Sequence, residues 1–449
     1  MGNEPNSSGP VISTGHQLSF WHPGILAKYL AADAFAKQIG GRVHHVWVNH
    51  DAVDSLNLDI PTRKGDQLAV RTLQLGPCDP NLPAWSQEAI DPGEAITELK
   101  KATSDWPCVN LDALLDVWAS MKGYRLDHAY LDGQMWYLLG TLYQKMTGLQ
   151  FSASMATDLW NFKEPREVLR RLLNDAMNCV RHYNDAAARH PEAGIRPMLV
   201  EPTRAELPLW ALGREPRQRV FADLSDSQPI LTLESGELLD WEVQLEMGNK
   251  EPTRWTLAPR ALLLTAIMRT YFCDLFIHGT GGGIYDRVME DWWQNWTGEP
   301  LAPMVVVSAD LYLPFDGVPL ADRADYDRAV WLTHHLPHNM DRFAPSSSLD
   351  DTLVRQKQAI LMHMDDDRDA RRRRAAFHEL HKINAALTAS HPLLRDQAKR
   401  QLDTASLGVA NAKVAAKRDW CFALYPPDQI AALRDAIANQ VRAALPPKE

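Results

Sequence analysis

The spacing of hydrophobic positions near the amino terminus changes twice, and these changes predict a βαβ unit. An apolar run at 11–14 ends in a glycine turn, which is typical of a buried strand. Apolar residues then recur at helical spacing from Pro23 onward, and Gly40 and Gly41 end the helix. A second apolar run covers 43–48. A strand, a helix and a strand in this order predict two parallel strands joined by a right-handed crossover.

Downstream segments extend this pattern into a mixed sheet. Up to residue 190 we predict a surface connection at 76–110, a helix at 111–145, a strand at 149–153 and a second helix at 165–188. Between Pro197 and Leu257 the apolar period changes to two, which predicts antiparallel strands, the last of them across Trp241, Val243 and Leu245. We then predict a helix at 259–271, a buried strand at 273–278 and a glycine loop at 279–283. A helix at 285–296 and a final strand at 303–313 follow.

Beyond the predicted sheet the chain consists mostly of helix-forming residues with charges on every turn. Leu380, Leu387 and Leu394 repeat at seven residues, which predicts an antiparallel helical hairpin or a short coiled coil. We therefore predict an α/β protein. A Rossmann-like core, with a parallel sheet and an antiparallel, strand-rich addition, occupies 1–318, and a C-terminal α-helical hairpin or coiled coil occupies 319–449. This hairpin is also a candidate surface for homodimer formation.

The 449 residues carry a formal net charge of -10, and their charged fraction of 23% is typical of a globular protein. The acidic balance argues against a nucleic-acid partner, because such proteins need a basic surface. The chain has no run of 18 apolar residues and begins without the basic and apolar regions of a signal peptide. Its five cysteines are scattered and form no CxxC pair, which favours reduced thiols. We predict a cytoplasmic protein with a small-molecule substrate and no membrane contact.

Three polar loops follow strands of the predicted parallel sheet, at the edge where open α/β sheets bind ligands. Neither a GxGxxG nor a GxxxxGK loop occurs, so the common dinucleotide and Walker A phosphate sites are not predicted. Backbone amides at the glycines of the first and third loops are predicted to bind an anion or a phosphate. The candidate substrate- and nucleotide-binding residues are Gly15, Gln17, Asn49, Arg260, His278, Gly279, Gly281, Gly282, Gly283 and Tyr285.

Three side chains at these strand ends are candidates for proton transfer. His50 is the predicted proton acceptor, Asp51 is predicted to orient it, and His16 is predicted to assist at the anion site. The alternative for His16 is a turn histidine bonded to the backbone, and the alternative for Asp51 is the N-cap of the following segment. The third loop is alternatively a plain glycine turn.

Arginine and histidine side chains outside the three loops are further candidates for ligand binding. Arg260 and Arg269 precede the strand of the third loop and are candidate partners of a carboxylate or a phosphate. Their alternative is a surface or structural role. His334, His335 and His338 have no carboxylate or thiolate at a tight spacing, so we predict no metal site.

The order of these loops resembles the bacillithiol-biosynthesis cysteine-adding enzyme family. Residues 14–17 (TGHQ) are similar to that family's T-G-Q-Q turn before a helix, and residues 47–51 are similar to its W-I-x-x-E-D-H-D run. Residues 278–285 loosely match its G-G-P-G/A-E-x-x-Y loop, and Ser308-Ala309 match a later Ser-Ala pair. The resemblance spans most of the chain in pattern rather than in identity.

This resemblance implies a Rossmann-like core related to nucleotidyl-transfer folds and a coiled-coil domain that can hold an adenine nucleotide, ATP or ADP. It implies a carbon–nitrogen ligase that joins cysteine to the free amine of a glucosamine–malate conjugate. The chain departs from the family at His16, at Val48-Asn49 and after the glycine loop, where the family has Gln, an acidic pair and Glu. Because the departures fall at the implied substrate sites, two alternatives stay open. They are another nucleotide- or sugar-phosphate-using transferase on this scaffold, and a non-catalytic interaction protein.

Overall fold

A computed structural model gives the fold of residues 9–52, 54–105, 109–122, 130–150, 152–225, 229–239 and 254–445. The chain divides into two compact units, the first combining Met1–Ile60, Arg71–Leu313 and Arg418–Glu449, and the second Pro61–Val70 and Pro314–Lys417. The fold is α/β, with a parallel sheet, an antiparallel sheet and a series of C-terminal helices, as the sequence predicts. Within the described ranges, no helix is long and apolar enough to cross a membrane.

The first unit is built on a parallel sheet. Its strands are Val11–Gln17 (β1), Arg42–Val43 (β2), His45–Val48 (β3), Ala153–Met155 (β6), Leu275–His278 (β12) and Met304–Val306 (β13). Their spatial order is β13-β12-β1-β3-β6, with β2 paired to β1. Because these pairings are parallel, the carboxyl ends of neighbouring strands meet at one edge of the sheet.

The first crossover helix, α1 (Pro23–Ile39), forms where the sequence predicts it. His22 caps the helix, because its Nδ1 accepts a 3.1 Å hydrogen bond from the Gly24 amide. The proline in the first turn needs no hydrogen-bond acceptor, and Gly40 ends the helix in the left-handed conformation with a φ of 73°. Helix α1 packs on β1 and carries Lys28 among its buried residues.

The surface connection predicted at 76–110 instead contains a helix, α2 (Pro92–Asp105). Its Ala95, Leu99 and Ala102 are buried and recur at helical spacing. Proline and glycine at its start give the segment the composition of a loop, but both occupy the first turn, where proline fits a helix. The composition therefore hid an amphipathic helix.

The helices predicted at 111–145 and 165–188 are each divided in two. Asp175 interrupts the second of them, since its φ of -131° is not helical. The strand predicted between them is β6, which starts later than the sequence suggests. The four helices are α3 (Asp112–Met121), α4 (Leu131–Thr147), α5 (Lys163–Asn174) and α6 (Ala176–Arg189).

The predicted antiparallel addition is present. Its strands are Val200–Glu201 (β7), Arg204–Leu212 (β8), Gln218–Asp223 (β9), Ile230–Leu233 (β10) and Thr256–Pro259 (β11). They pair in the order β10-β9-β8-β11, with β7 beside β8, and they share a hydrophobic core with α5 and α6. The strand predicted across Trp241, Val243 and Leu245 lies outside the described residues.

The glycine loop predicted at 279–283 forms the start of a helix instead. Helix α7 (Ala261–Ile267) continues into a π-helical turn, β12 follows, and α8 spans Thr280–Thr297. The first turn of α8 approaches β12 and β13 so closely that side chains on two of its glycines would collide with strand residues. Close packing, rather than a flexible turn, explains these glycines. The last predicted strand, 303–313, is shorter than expected and is β13.

The second unit is helical, apart from the tip of a β-hairpin that the sequence did not predict. The hairpin strands are Asn57–Lys64 (β4) and Gln67–Gln74 (β5). The helices are α9 (Arg323–His335), α10 (Met340–Phe343), α11 (Asp351–Asp366), α12 (Ala370–Ala389) and α13 (Pro392–Ala415). Of the predicted seven-residue repeat, Leu387 is fully buried in the core of this unit and Leu394 packs at its margin.

The last helix, α14 (Pro427–Ala444), belongs to the first unit, so the unit boundary differs from the one predicted at 318/319. The segment before this helix is apolar, and its Trp420, Phe422 and Tyr425 are at most 1% exposed. The Phe422 amide donates a 2.7 Å hydrogen bond to the carbonyl of Trp21 in the first unit. The chain therefore rejoins the first unit at this short apolar segment, which interrupts a long helical stretch.

Candidate functional site

The carboxyl ends of β1, β3 and β12 bring the three polar loops to one edge of the parallel sheet. Thr14 lies opposite Ile277, and Gln17 lies opposite Val48. This is the edge at which open α/β sheets bind ligands. We call the polar groups around it the strand-end site, and they come from residues 15–17, 28, 49–51, 217, 278–282 and 285.

Lys28 reaches the turn after β1 from the buried side of α1. The residue is 6% exposed, and its Nζ donates a 2.7 Å hydrogen bond to the carbonyl oxygen of Gly15. Burial lowers the pKa of Lys28 to about 7, because an ammonium group loses its hydration inside a protein. Lys28 is not among the site residues predicted from the sequence. Its one signal was a lone lysine in the otherwise apolar run from Leu26 to Ala32.

His16 lies at the end of β1 and is half-buried. Burial, together with the positive charges of Lys28 and His22, holds the pKa of His16 well below the usual range of an imidazole. The side chain is therefore an uncharged base at neutral pH. An imidazole in this form can accept a proton from a bound substrate.

Asp51 follows β3 and is held by two neighbours. Gln17 Nε2 donates a 3.1 Å hydrogen bond to Oδ2, and Arg217 Nη1 donates a 2.5 Å hydrogen bond to Oδ1. Burial acts to raise the pKa of Asp51, but His50, Arg217 and Gln17 together lower it below its usual value. The carboxylate is therefore ionised at the strand-end site.

Arg217 enters this site from the antiparallel sheet. Its guanidinium lies over the Trp210 ring, 4.4 Å from the centroid, while its Nη1 contacts Asp51. Arg217 was not predicted from the sequence, since it lies in a charged turn between β8 and β9 and far from Asp51 along the chain. No local pattern connects the two residues, because tertiary packing of the two sheets creates their contact.

His50 lies below the surface of the same edge, since it is only 1% exposed. Burial lowers its pKa to about 4, against the opposing effects of Asp51 and of a hydrogen bond with the Pro259 backbone. Among the described residues, its Nδ1 has no hydrogen-bond partner. The predicted proton acceptor is thus a buried neutral imidazole, and His16, which is only partly buried, is more accessible to a substrate.

Asn49 is also buried and has a structural role. Its Nδ2 donates 2.9 Å hydrogen bonds to Asp132 Oδ2 and to Thr157 Oγ1, and its Oδ1 accepts one from the Thr157 amide. Both polar ends of the side chain are therefore used to join α4 to the segment after β6. This geometry leaves Asn49 no free group for a substrate, in contrast to the role predicted for it.

The first turn of α8 forms the third side of the site. Gly282 lies against the His278 ring, and a Cβ atom at Gly283 would be 2.5 Å from Val306 Cγ2. A side chain at Gly281 would meet no atom within 4 Å, so this glycine is not required for packing. Gly279 caps the helix without a side-chain acceptor, and the amides at the start of the turn point away from the helix.

His278 and Tyr285 connect this turn to the core of the sheet. The His278 Nε2 lies 3.2 Å from a carboxylate oxygen of the fully buried Asp286, which also pairs with Arg269. The Tyr285 ring meets the His278 ring edge-to-face at 5.8 Å. Burial raises the pKa of Tyr285 to about 12, and the charges of Asp286 and Asp51 add to the effect. Tyr285 is therefore a neutral hydroxyl group close to Asp51.

The two arginines predicted as anion partners have structural roles. Arg260 donates to Glu206 Oε1 over 2.8 Å and to the Leu209 carbonyl over 3.0 Å, and it lies over the Trp210 ring. Arg269 is 3% exposed and is held by Asp286 and by the carbonyl of residue 302. The structural alternative therefore describes both side chains better than substrate binding does.

The second unit has its own cavity, of about 790 Å³, between α9, α13 and residues 319–321. Trp331 is 54% exposed at this cavity, and the exposed side chains of Arg328 and Arg400 also line it. The His334 ring contacts the rings of His335 and His338. In the described part of the chain, no group of three or more His, Cys, Asp or Glu side chains has a metal-binding arrangement.

Comparisons with known proteins add little to this geometry. No protein-family model matches the chain, and no curated protein matches it. A solved structure from Campylobacter jejuni, provisionally assigned as an arginyl-tRNA synthetase, is similar over 97% of this chain and 92% of its own. The two are 10% identical and superpose with a TM-score of 0.25, a likeness too low to support an argument about function.

Proposed function

We propose that the strand-end site is the active site of an amide-forming, carbon–nitrogen ligase-like enzyme. In this proposal the enzyme joins an amino acid, cysteine by the resemblance described above, to the amine of an amino-sugar conjugate. The observation that carries the proposal is His16, an unprotonated and partly buried imidazole at the strand end, with ionised Asp51 in the loop after the neighbouring strand.

Amide formation needs a carboxyl group whose oxygen has been converted to a leaving group, such as a phosphate derived from ATP, which departs as the C–N bond forms. It also needs an amine that loses a proton as it attacks, and groups that stabilise the oxygen on which negative charge develops. We assign the role of proton acceptor to His16, whose low pKa keeps it unprotonated at neutral pH. Asp51 accepts hydrogen bonds from the amine and is held in place by Gln17 and Arg217. The neutral Tyr285 hydroxyl and the first amides of α8 are the donors proposed for the developing oxyanion.

The cavity of the second unit favours a second candidate, a nucleotide-using transferase on the same scaffold. An exposed indole such as Trp331 can stack on a nucleobase, and Arg328 and Arg400 can pair with phosphates. The adenine nucleotide implied by the resemblance, ATP or ADP, is the proposed occupant. These residues would bind it, and in a transferase it would supply the group that is transferred.

We propose a cytoplasmic location for this activity. The cysteines of the described residues are Cys78, Cys179, Cys273 and Cys421, and each is a free thiol. Reduced thiols fit a reducing compartment.

The proposal is tested by calorimetry and thermal unfolding with cysteine, glucosaminyl-malate, ATP and ADP. A ligand at 100 times its dissociation constant stabilises a protein by about 2.7 kcal/mol. We expect cysteine or the glucosaminide to bind, the His16→Asn variant to bind it at least about tenfold more weakly, and the His363→Gln control to bind it normally. His363 is an exposed residue of α11, so it controls for the loss of a histidine. Nucleotide binding alone would favour the second candidate, and no binding of any ligand would exclude both.

A further inference from the structure

Lys28 is a buried lysine whose charged form has no carboxylate partner among the described residues. It is 6% exposed. Its charge lowers the pKa of the neighbouring imidazoles of His16, His22 and His45. Buried charges in proteins are normally paired, so an ammonium in this position lacks a partner that a ligand can supply.

The hydrogen bonds of Lys28 lead to the same conclusion. An ammonium group has three N–H donors. Within the described chain, the acceptor for one of them is the Gly15 carbonyl, at 2.7 Å. The Tyr29 ring, 5.9 Å from Nζ to its centroid, gives a long cation–π contact but no hydrogen-bond acceptor. Among the described residues the other two donors therefore have no protein acceptor, which is costly unless a ligand or water accepts them.

The side chain of Lys28 also lies against the start of α8. Its Cδ is 3.7 Å from the position that a Cβ atom would occupy at Gly279, the N-cap of that helix. Helix α8 has 18 residues, and in the described part of the chain its N-cap provides no side-chain hydrogen bond to the first amides. Around Gly281 there is open space, so a small ligand can approach these amides.

We propose that Lys28, His16 and the first turn of α8 form a binding site for a compact oxyanion, a phosphate or carboxylate group of a substrate. The oxyanion accepts hydrogen bonds from the ammonium and from the amides of Thr280 and Gly281. It also supplies the negative charge that Lys28 lacks. The proposal depends on the proposed function only for the identity of the substrate, since anion binding needs no reaction.

The test is calorimetry of the intact protein with inorganic phosphate and, separately, with succinate, at constant ionic strength and pH 7. Phosphate represents a phosphoryl source of the anion and succinate a carboxylate source. We expect one of them to bind with a stoichiometry of one and the Lys28→Met variant to bind it at least about tenfold more weakly. The Lys37→Met variant, changed at an exposed lysine in the last turn of α1, should bind as the unmodified protein does.

A second variant guards against a folding defect in Lys28→Met. Gly281→Asp places a negative charge in open space at the start of α8, so it should weaken anion binding without disturbing the core. The proposal is overturned if neither anion binds, or if both Lys28→Met and Gly281→Asp bind as tightly as Lys37→Met. Anion binding without binding of either cysteine or glucosaminyl-malate would retain this site and remove the ligase proposal.

Discussion

Lys28 Nζ and the carbonyl oxygen of Gly15 are joined by a 2.7 Å hydrogen bond that ties α1 to the turn at the end of β1. The contact draws a lysine into the interior of the first unit and places its charge beside His16. The same charge helps to keep His16 unprotonated. One buried lysine therefore links the local backbone of the turn to the acid–base state of the proposed proton acceptor.

The burial of Lys28 predicts a specific dependence of stability on pH. Its pKa is about 7 in the fold and about 10.4 in an unfolded chain, so the unfolded chain binds more protons between these pH values. The free energy of unfolding should therefore rise from pH 7 to pH 10, with a contribution of roughly 3–5 kcal/mol from Lys28. Denaturant unfolding at intervals across this range should show the rise in Lys37→Met and lose it in Lys28→Met. Parallel profiles of the two variants would contradict the prediction.

The glycines at the start of α8 predict opposite effects of the same substitution at neighbouring positions. Gly282→Ala places a Cβ atom against the His278 ring and should lower the free energy of unfolding by about 1–3 kcal/mol. Gly281→Ala meets open space and should be neutral or stabilise the protein by up to about 1 kcal/mol. Urea unfolding of both variants measures the difference. Equal losses at the two positions would mean that packing does not explain the glycine run.

Arg260 is predicted to act on stability rather than on ligand binding. Arg260→Met removes the 2.8 Å partner of Glu206, a carboxylate whose side chain is 5% exposed. The expected loss is about 3 kcal/mol, since Arg219 remains near Glu206 but cannot replace both contacts. The control Arg254→Met, at an exposed ion pair, should cost less than about 1 kcal/mol. Weaker binding of cysteine or phosphate by a folded Arg260→Met protein would restore Arg260 as a binding residue.

Asp51 is predicted to stabilise the fold only where it is ionised. Its pKa is lowered in the fold, so its contribution is present above its unfolded pKa of about 3.9 and is lost as the pH falls through the folded value. Asp51→Asn should therefore lower the free energy of unfolding more at pH 7 than at pH 3. Denaturant unfolding at the two pH values tests this. The same loss at both values would indicate that the charge of Asp51 does not stabilise its contact with Arg217.

Much of the parallel core could be predicted from sequence because its signals are local. Proline at the start of α1, Gly40 at its end and the apolar runs on either side fix the first βαβ unit. The carboxyl ends of parallel strands share one edge of the sheet, so the position of the site at this edge could also be predicted. His16 at the end of β1 and Asp51 after β3 lie at this edge. These inferences need only neighbouring residues and the geometry of a parallel sheet.

The remaining features depend on contacts that no local pattern records. Arg217 reaches Asp51 from another sheet, and Lys28 turns inward from a helix whose neighbours in sequence are apolar. The glycine run had the composition of a loop, yet it starts a helix because a strand lies against it. Asn49 was predicted to bind substrate but has a structural role, again because of tertiary contacts. Asp132 and Thr157 use both ends of its side chain.

The central claim is that His16 accepts a proton during amide formation at the strand-end site. The most direct measurement is mass spectrometry of reactions that contain the protein, cysteine and glucosaminyl-malate, with and without ATP. We predict a product whose mass equals the two substrates less one water, formed by the unmodified protein and by His363→Gln. His16→Asn should form it at least about 100-fold more slowly, as expected when a general base is removed. Product formation by His16→Asn at the normal rate, or no product from any form, would contradict the account.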